Sequence, residues 1–143
     1  MLTSVVNLQR KVKLDTKVLQ DFVDQLPARV DEAGGRTFSV ALVSDRRMVE
    51  LNRFFRDRDS TTDVLSFPQE AETFESEQIN NLGDVVISTE QAERQAKENK
   101  LSLENEIKQL ILHGLLHLCG YDHETDNGEM NTRELELRAK LGI

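Results

Sequence analysis

Hydrophobic residues recur along this chain with two periods, and each change of period marks an element. Residues 2–8 (LTSVVNL) are β-prone. After Asp15, a helix N-cap, apolar residues fall at Val18, Leu19, Phe22, Val23, Leu26 and Val30, the spacing of one helix face. Pro27 leaves the last turn of that helix open, and Gly34-Gly35 ends it. TFSVALV (37–43) alternates, placing Phe38, Val40 and Leu42 on one face of a strand. Ser44 caps a short helix whose Met48, Leu51 and Phe55 are expected to face inward. TDVLSFP (62–68) and LGDVVIS (82–88) read as two more strands. Between them QEAETFESEQINN (69–81) is polar and acidic, as expected of a mobile, solvated loop. Ser88 with Gln91 is a capping-box signature for a polar helix to about residue 100, and Ser102 caps the next helix, over NEIKQLILHGLLHLC. A last amphipathic helix spans about 127–140 with Met130, Leu137 and Leu141 on its stripe.

The order β-α-β-α-β-β-α-α-α, strands early and helices late, predicts an α+β fold: one small mixed sheet of about four strands covered by helices. At 143 residues and 38% hydrophobic content the expectation is a single domain over 1–143. Acidic residues outnumber basic ones 26 to 18, for a net charge of −8, which argues against a generic polyanion binder and requires any nucleic-acid contact to be local. The single cysteine, Cys119, excludes an internal disulfide. MLTSVVNLQRKVKLD lacks the apolar run of a signal peptide and nothing approaches membrane-spanning length, so the expected location is cytoplasmic.

All three histidines fall within HGLLHLCGYDH, residues 113–123. Four residues of helix separate His113 from His117 by about 400° of rotation and about 6 Å of rise, close enough to share one metal. Continued as helix, His123 would point about 240° away from His117. Gly120 is placed to take a left-handed conformation, end the helix and return His123 to the other two. Three imidazoles with an open fourth position are the usual design of catalytic zinc, rather than the closed structural kind. Cys119, roughly 200° around the helix from His117, is expected in the core and not as a fourth ligand. The H-x-x-x-H-x-x-G-x-x-H spacing is shared with metzincin proteases, but their water-activating glutamate would stand at Gly114. So small a residue there is expected to open space beside the metal.

Together with LNRFFRDRDSTTDVLSFP (51–68) and LGDVVIS (82–88), HGLLHLCGYDH resembles the signature of the YbeY family, metal-dependent endoribonucleases that act in rRNA maturation. The resemblance spans nearly the whole chain. It implies a zincin-like fold with the metal site at the end of a helix in the C-terminal half, and one zinc per chain held by His113, His117 and His123. It also implies Arg56 and His113 as catalytic residues, single-strand-specific cleavage in maturation of the 16S 3′ end and in ribosome quality control, and ribosomal RNA with the small subunit or its assembly factors as partners. Neither DNA nor a membrane is expected as a partner.

RRMVELNRFFRDR supplies the local positive patch that the net charge demands, with Arg53 and Arg56 on one helical face. Planar guanidinium groups match phosphate oxygens bidentately. Arg46, Arg47 and Arg58 are read either as RNA contacts or as partners of Asp45, Glu50, Asp57 and Asp59 on a solvated face. The chemistry that fits is metal-assisted phosphodiester hydrolysis: zinc lowers the pKa of a bound water from about 15.7 to about 7, and Arg56 stabilises charge in the transition state. Asp122 and Glu124 flank His123, as ligand-orienting groups or as surface. A metalloprotease and a non-catalytic, zinc-stabilised ribosome assembly factor are the competing readings.

Overall fold

The structure of the chain, a computed structural model, describes residues 4–69, 80–122 and 126–143. The elements are β1 (Ser4–Asn7), α1 (Thr16–Arg29), a 3-10 turn (Asp31–Ala33), β2 (Thr37–Val43), α2 (Asp45–Arg56), β3 (Val64–Pro68), β4 (Asn81–Ser88), α3 (Thr89–Asn99), α4 (Leu103–Leu118) and α5 (Glu129–Leu141). This is the expected α+β order. The loop expected over 69–81 falls mostly outside the described residues, as do His123 and Glu124.

Side-chain caps start the helices where the sequence puts them. Asp15 accepts from the amides of Lys17 and Val18, Ser44 from Arg47 and Ser102 from Asn105, each satisfying an amide the helix leaves unpaired, at about 1 kcal/mol per cap. The capping box expected at Ser88 is half formed. Its hydroxyl accepts from Gln91 N at 3.3 Å, but its own amide donates to Asp63 O. Ser88 ends a strand, so the sheet edge has already claimed the N–H that Gln91 would have satisfied.

The four strands lie in the order β1-β2-β4-β3, with β1, β2 and β4 parallel and β3 an antiparallel edge strand. Phe38, Val40, Leu42, Val85 and Ile87 form one buried face of the sheet, packed with α1 and α4 residues. α4 is apolar almost all round, with Ile107, Leu110, Ile111, Leu112, Leu115, Leu116 and Leu118 all buried. Such a helix belongs inside the domain, each large side chain contributing about 1.5–3 kcal/mol on burial. Met48 and Leu51 of α2 pack on the opposite face against Val43, Leu65, Val86 and Phe67.

Phe55 departs from the expected inward stripe. Met48 is buried, but Phe55 is 57% exposed and meets the edge strand through an edge-on contact with the Phe67 ring. Among the described residues β3 is the edge strand, and none lies beyond it to cover the last turn of α2. Among the described residues no helix is long and apolar enough to cross a membrane.

Candidate active site

His113 and His117 are half-buried on α4, and the turn that follows them does more than reverse the chain. Gly120 has φ +107°, its amide donates to His117 O, and the amide of Tyr121 donates to Leu116 O. This is the Schellman pattern, in which a residue of positive φ lets two following amides close the last helical carbonyls. It places the Tyr121 carbonyl 2.9 Å from His117 Nδ1. A carbonyl only accepts, so Nδ1 carries the proton and Nε2 keeps its lone pair.

His113 is oriented by a different partner. Its Nδ1 donates to Glu134 Oε1 at 2.6 Å, while the other oxygen of Glu134 accepts from Arg138. Burial works to raise the Glu134 carboxyl, but the hydrogen bond and charge of His113, with Arg138 beside them, hold it below the usual range. A carboxylate behind a histidine fixes ring and tautomer and raises the basicity of the outward nitrogen. Glu134 is absent from the site residues that the sequence predicts. The signal was present: a carboxylate between Met130 and Leu137 on the buried stripe of α5.

With both rings anchored at Nδ1, the two Nε2 atoms face each other at 3.2 Å. Imidazole nitrogens about 2.0–2.1 Å from a tetrahedral zinc are about 3.3–3.4 Å apart, so spacing, protonation and donor chemistry all fit such an ion. The third expected ligand, His123, lies outside the described residues, and no cluster of three metal-ligating side chains occurs among them.

The histidines open onto a cleft of about 500 Å³ whose walls include Arg56, Asp63, Ser66, Tyr121 and Asp122. Val64 and Ser66 of β3 face this cleft while Leu65 and Phe67 face α2. Arg56, on the last turn of α2, therefore reaches the histidines around the edge of the sheet. Beyond His113 a second cleft, about 740 Å³, shares Asp63 and Val64 with the first.

The other arginines divide. Arg47 pairs with Glu50 at 2.9 Å and Arg53 with Asp59 at 2.5 Å, both on exposed surface. Arg53 shares a helical face with Arg56 but is held by its carboxylate neighbour, whereas the Arg56 side chain makes no hydrogen bond or ion pair among the described residues. Asp45 is not an arginine partner within α2. It accepts from Ser88, Thr61 and Arg94, and these outweigh burial in lowering its pKa.

Gly114 corrects an expectation. It is buried, and a Cβ there would sit 2.6 Å from Val85 Cγ1 and 3.2 Å from Ser66 Oγ. The glycine opens no space beside a metal. It lets α4 press against the sheet, and Ser66 Oγ donates to its carbonyl at 3.1 Å. A glutamate at this position would meet Val85, so the protease base has no room here. Cys119 packs against the core as expected, its thiol raised by burial to about 11. Asp122 is exposed at the cleft wall.

A further layer supports the turn. Tyr121 donates its hydroxyl to Glu32 Oε2 at 2.8 Å, and Arg133 grips the same carboxylate through Nε at 2.8 Å and Nη2 at 2.9 Å. The Arg133 hydrogen bond holds Glu32 down to about 2. The carbonyl that orients His117 thus belongs to a residue tied to two other elements.

Fold and cleft define a class: an α+β domain in which a buried helix presents paired, back-anchored imidazoles to a cleft that an arginine enters around the sheet edge. Within that class, the chain belongs to the family described as Endoribonuclease YbeY, whose profile matches residues 4–142. It is 38% identical over 145 residues to the Endoribonuclease YbeY of Carboxydothermus hydrogenoformans, covering 99% of each chain. Identity to that of Solibacter usitatus is 39%, over 99% of this chain and 89% of the relative. Identity to that of Nautilia profundicola is 47% over 108 residues, 76% of this chain and 74% of the relative. Among solved structures, the solution structure of TM1509 from Thermotoga maritima aligns with a TM-score of 0.66 at 30% identity, over 99% of this chain and 89% of that one.

Proposed function

We propose that this chain is a zinc-dependent, single-strand-specific endoribonuclease that hydrolyses phosphodiester bonds in ribosomal RNA. Family membership supports the endoribonuclease activity. The pair of Nε2 atoms 3.2 Å apart, in a cleft that Arg56 enters, carries the metal dependence. The likeness of residues 51–68, 82–88 and 113–123 to the family signature supports action in the cytoplasm at the 16S 3′ end and in ribosome quality control, with the small subunit or its assembly factors as partners.

His113, His117 and His123 would hold the zinc, which when bound supplies Lewis acidity toward a phosphate oxygen and the attacking water. The remaining steps belong to the chain. Arg56 binds the scissile phosphate through its planar fork and stabilises the extra negative charge of the transition state. Glu134 and the Tyr121 carbonyl keep His113 and His117 in one tautomer and orientation, so no reorganisation is needed as charge develops. Asp63 and Asp122 line the cleft wall, and as carboxylates are the groups we assign to take or return a proton.

End-labelled single-stranded ribosomal RNA, incubated with the purified chain, tests this. Internal cleavage should appear with zinc, vanish on chelation, return when zinc is restored, and be absent in His113→Ala. Stable binding to RNA or small subunits without turnover under any metal condition would assign the chain as an assembly factor. Cleavage of unfolded protein in place of RNA would make it a protease.

A further inference from the structure

The exposed end of α2 combines features that neither the fold nor the proposed chemistry uses. Phe54 is 81% exposed and Phe55 57%, large apolar rings on the surface of a chain with only six phenylalanines, one tyrosine and no tryptophan. The rings are not loose. Phe54 meets Phe55 edge-on with centroids 4.9 Å apart, and Phe55 meets Phe67 in the same way at 5.0 Å. Phe67 is half-buried and packs with the cluster beneath α2. An aromatic ladder thus climbs from the core to solvent at the edge strand.

Its position gives it meaning. Arg56 follows directly in sequence and lines the histidine cleft, and Phe67 lies on β3 between Ser66 and Pro68, which line the same cleft from the other face of the strand. A chain leaving the histidines over the edge of β3 meets Arg56 first and the phenylalanines next. Arg53 and Arg56 flank these rings in sequence; Arg53 is neutralised by Asp59, so Arg56, without an ion pair among the described residues, brings the positive charge beside them.

From this geometry we infer that Phe54 and Phe55 form a stacking platform for unpaired bases of the single-stranded RNA whose phosphate Arg56 holds. Aromatic rings set among arginines bind single strands because every base has a π-face while the guanidinium groups track the backbone. A base-paired duplex keeps its bases stacked internally and offers none to such a platform, so the patch supplies a physical reason for single-strand preference. The inference rests on the proposed RNA substrate and adds a base-binding subsite to it.

The zinc-loaded full chain, titrated with a short single-stranded 2′-O-methyl RNA, provides the test. Phe54→Ala and Phe55→Ala should each weaken binding about tenfold, the loss of one stacked base, with zinc content unchanged in both and melting temperature unchanged in Phe54→Ala. Phe54→Leu, apolar but without a π-face, should bind as weakly as Phe54→Ala. A single abasic position at the nucleotide stacked on Phe54 should lower wild-type affinity by a similar factor and leave Phe54→Ala unaffected. Phe54→Trp should retain affinity, and its indole, alone in the chain, should be quenched as RNA is added. Wild-type affinity in both alanine variants, or full affinity in Phe54→Leu, would overturn the platform while leaving the nuclease intact. Absence of any RNA binding by the wild-type chain would overturn the platform and the proposed substrate together.

Discussion

The two walls of the cleft are built on opposite principles. On the α4 wall the functional atoms among the described residues are held from behind: His113 by Glu134, His117 by the Tyr121 carbonyl, Tyr121 by Glu32 and Glu32 by Arg133. On the α2 wall Arg56 and the two phenylalanines stand in solvent at the end of a helix that has left its sheet. The contrast fits what each wall is proposed to bind. A metal tolerates only small errors in ligand position, so its donors need preorganisation. A flexible polyanion is served by long, mobile cations and sequence-tolerant rings. Buried orientation and exposed capture therefore divide the labour, and substitutions on the two walls should fail in different ways.

The sharpest separation comes from Arg56→Ala. It should lower RNA cleavage by about 10²-fold or more, roughly 2.7 kcal/mol, with zinc content and melting temperature near wild type, the scale of losing one preorganised charge-stabilising donor. Single-turnover cleavage and metal analysis of the same preparation check it. Arg56→Lys should recover little, because lysine keeps the charge but loses the planar fork. Normal cleavage by Arg56→Ala would return the arginine to the solvated surface and erase the contrast between the walls.

On the opposite wall, Glu134→Gln should weaken zinc affinity by about 10–100-fold, measured by competition with a chromogenic chelator, with cleavage restored by excess zinc. Arg56→Ala should show no such rescue. Gly114→Ala probes the support beneath both histidines: with Val85 Cγ1 only 2.6 Å from the new Cβ, it should cost about 1–3 kcal/mol in denaturant unfolding. An unchanged midpoint would mean that α4 does not press on the sheet as described. Gly120→Ala meets no neighbour within 4 Å, so its cost, about 1 kcal/mol, is backbone strain alone. Gly120→Val should cost more and also loosen zinc, by shifting the carbonyl that aligns His117.

The smallest effect is a pH dependence. Glu32 sits at about 2 in the folded chain against 4.5 for the free carboxyl. The stability it contributes is fully present above pH 4.5 and is lost as pH falls through about 2. In metal-free protein the melting-temperature gap between wild type and Glu32→Gln should therefore be widest above pH 5 and narrow steadily below 4.5. The gap itself corresponds to about 1 kcal/mol, as for a partly exposed ion pair. A gap independent of pH would show that Glu32 is not acting as a carboxylate.

Much of this molecule is written in local sequence. The caps at Asp15, Ser44 and Ser102, the alternation of TFSVALV and the positive φ of Gly120 each follow from a few adjacent residues and the conformations open to them. The pairing of His113 with His117 is of the same kind, because four residues of helix bring any two side chains onto nearly one face. The segment that holds them, taken with residues 51–68 and 82–88, also carries the resemblance to the family. What distance along the chain separates was not legible. Gly114 read as open space until folding set Val85 and Ser66 against it from 29 and 48 residues away. Phe55 fell on the inward stripe, yet whether a stripe is covered depends on where the sheet ends. Nothing in the local sequence ties Glu134 to His113 until α5 packs beside α4 and puts it behind that ring, and the Arg133–Glu32–Tyr121 chain joins residues up to 101 positions apart. Local sequence determined which conformations and donor atoms were available, because steric limits and helical period act over a few residues. Only the tertiary structure decided which of those donors are held from behind and which stand in solvent, because burial and hydrogen-bond pairing belong to surfaces that meet when the chain folds.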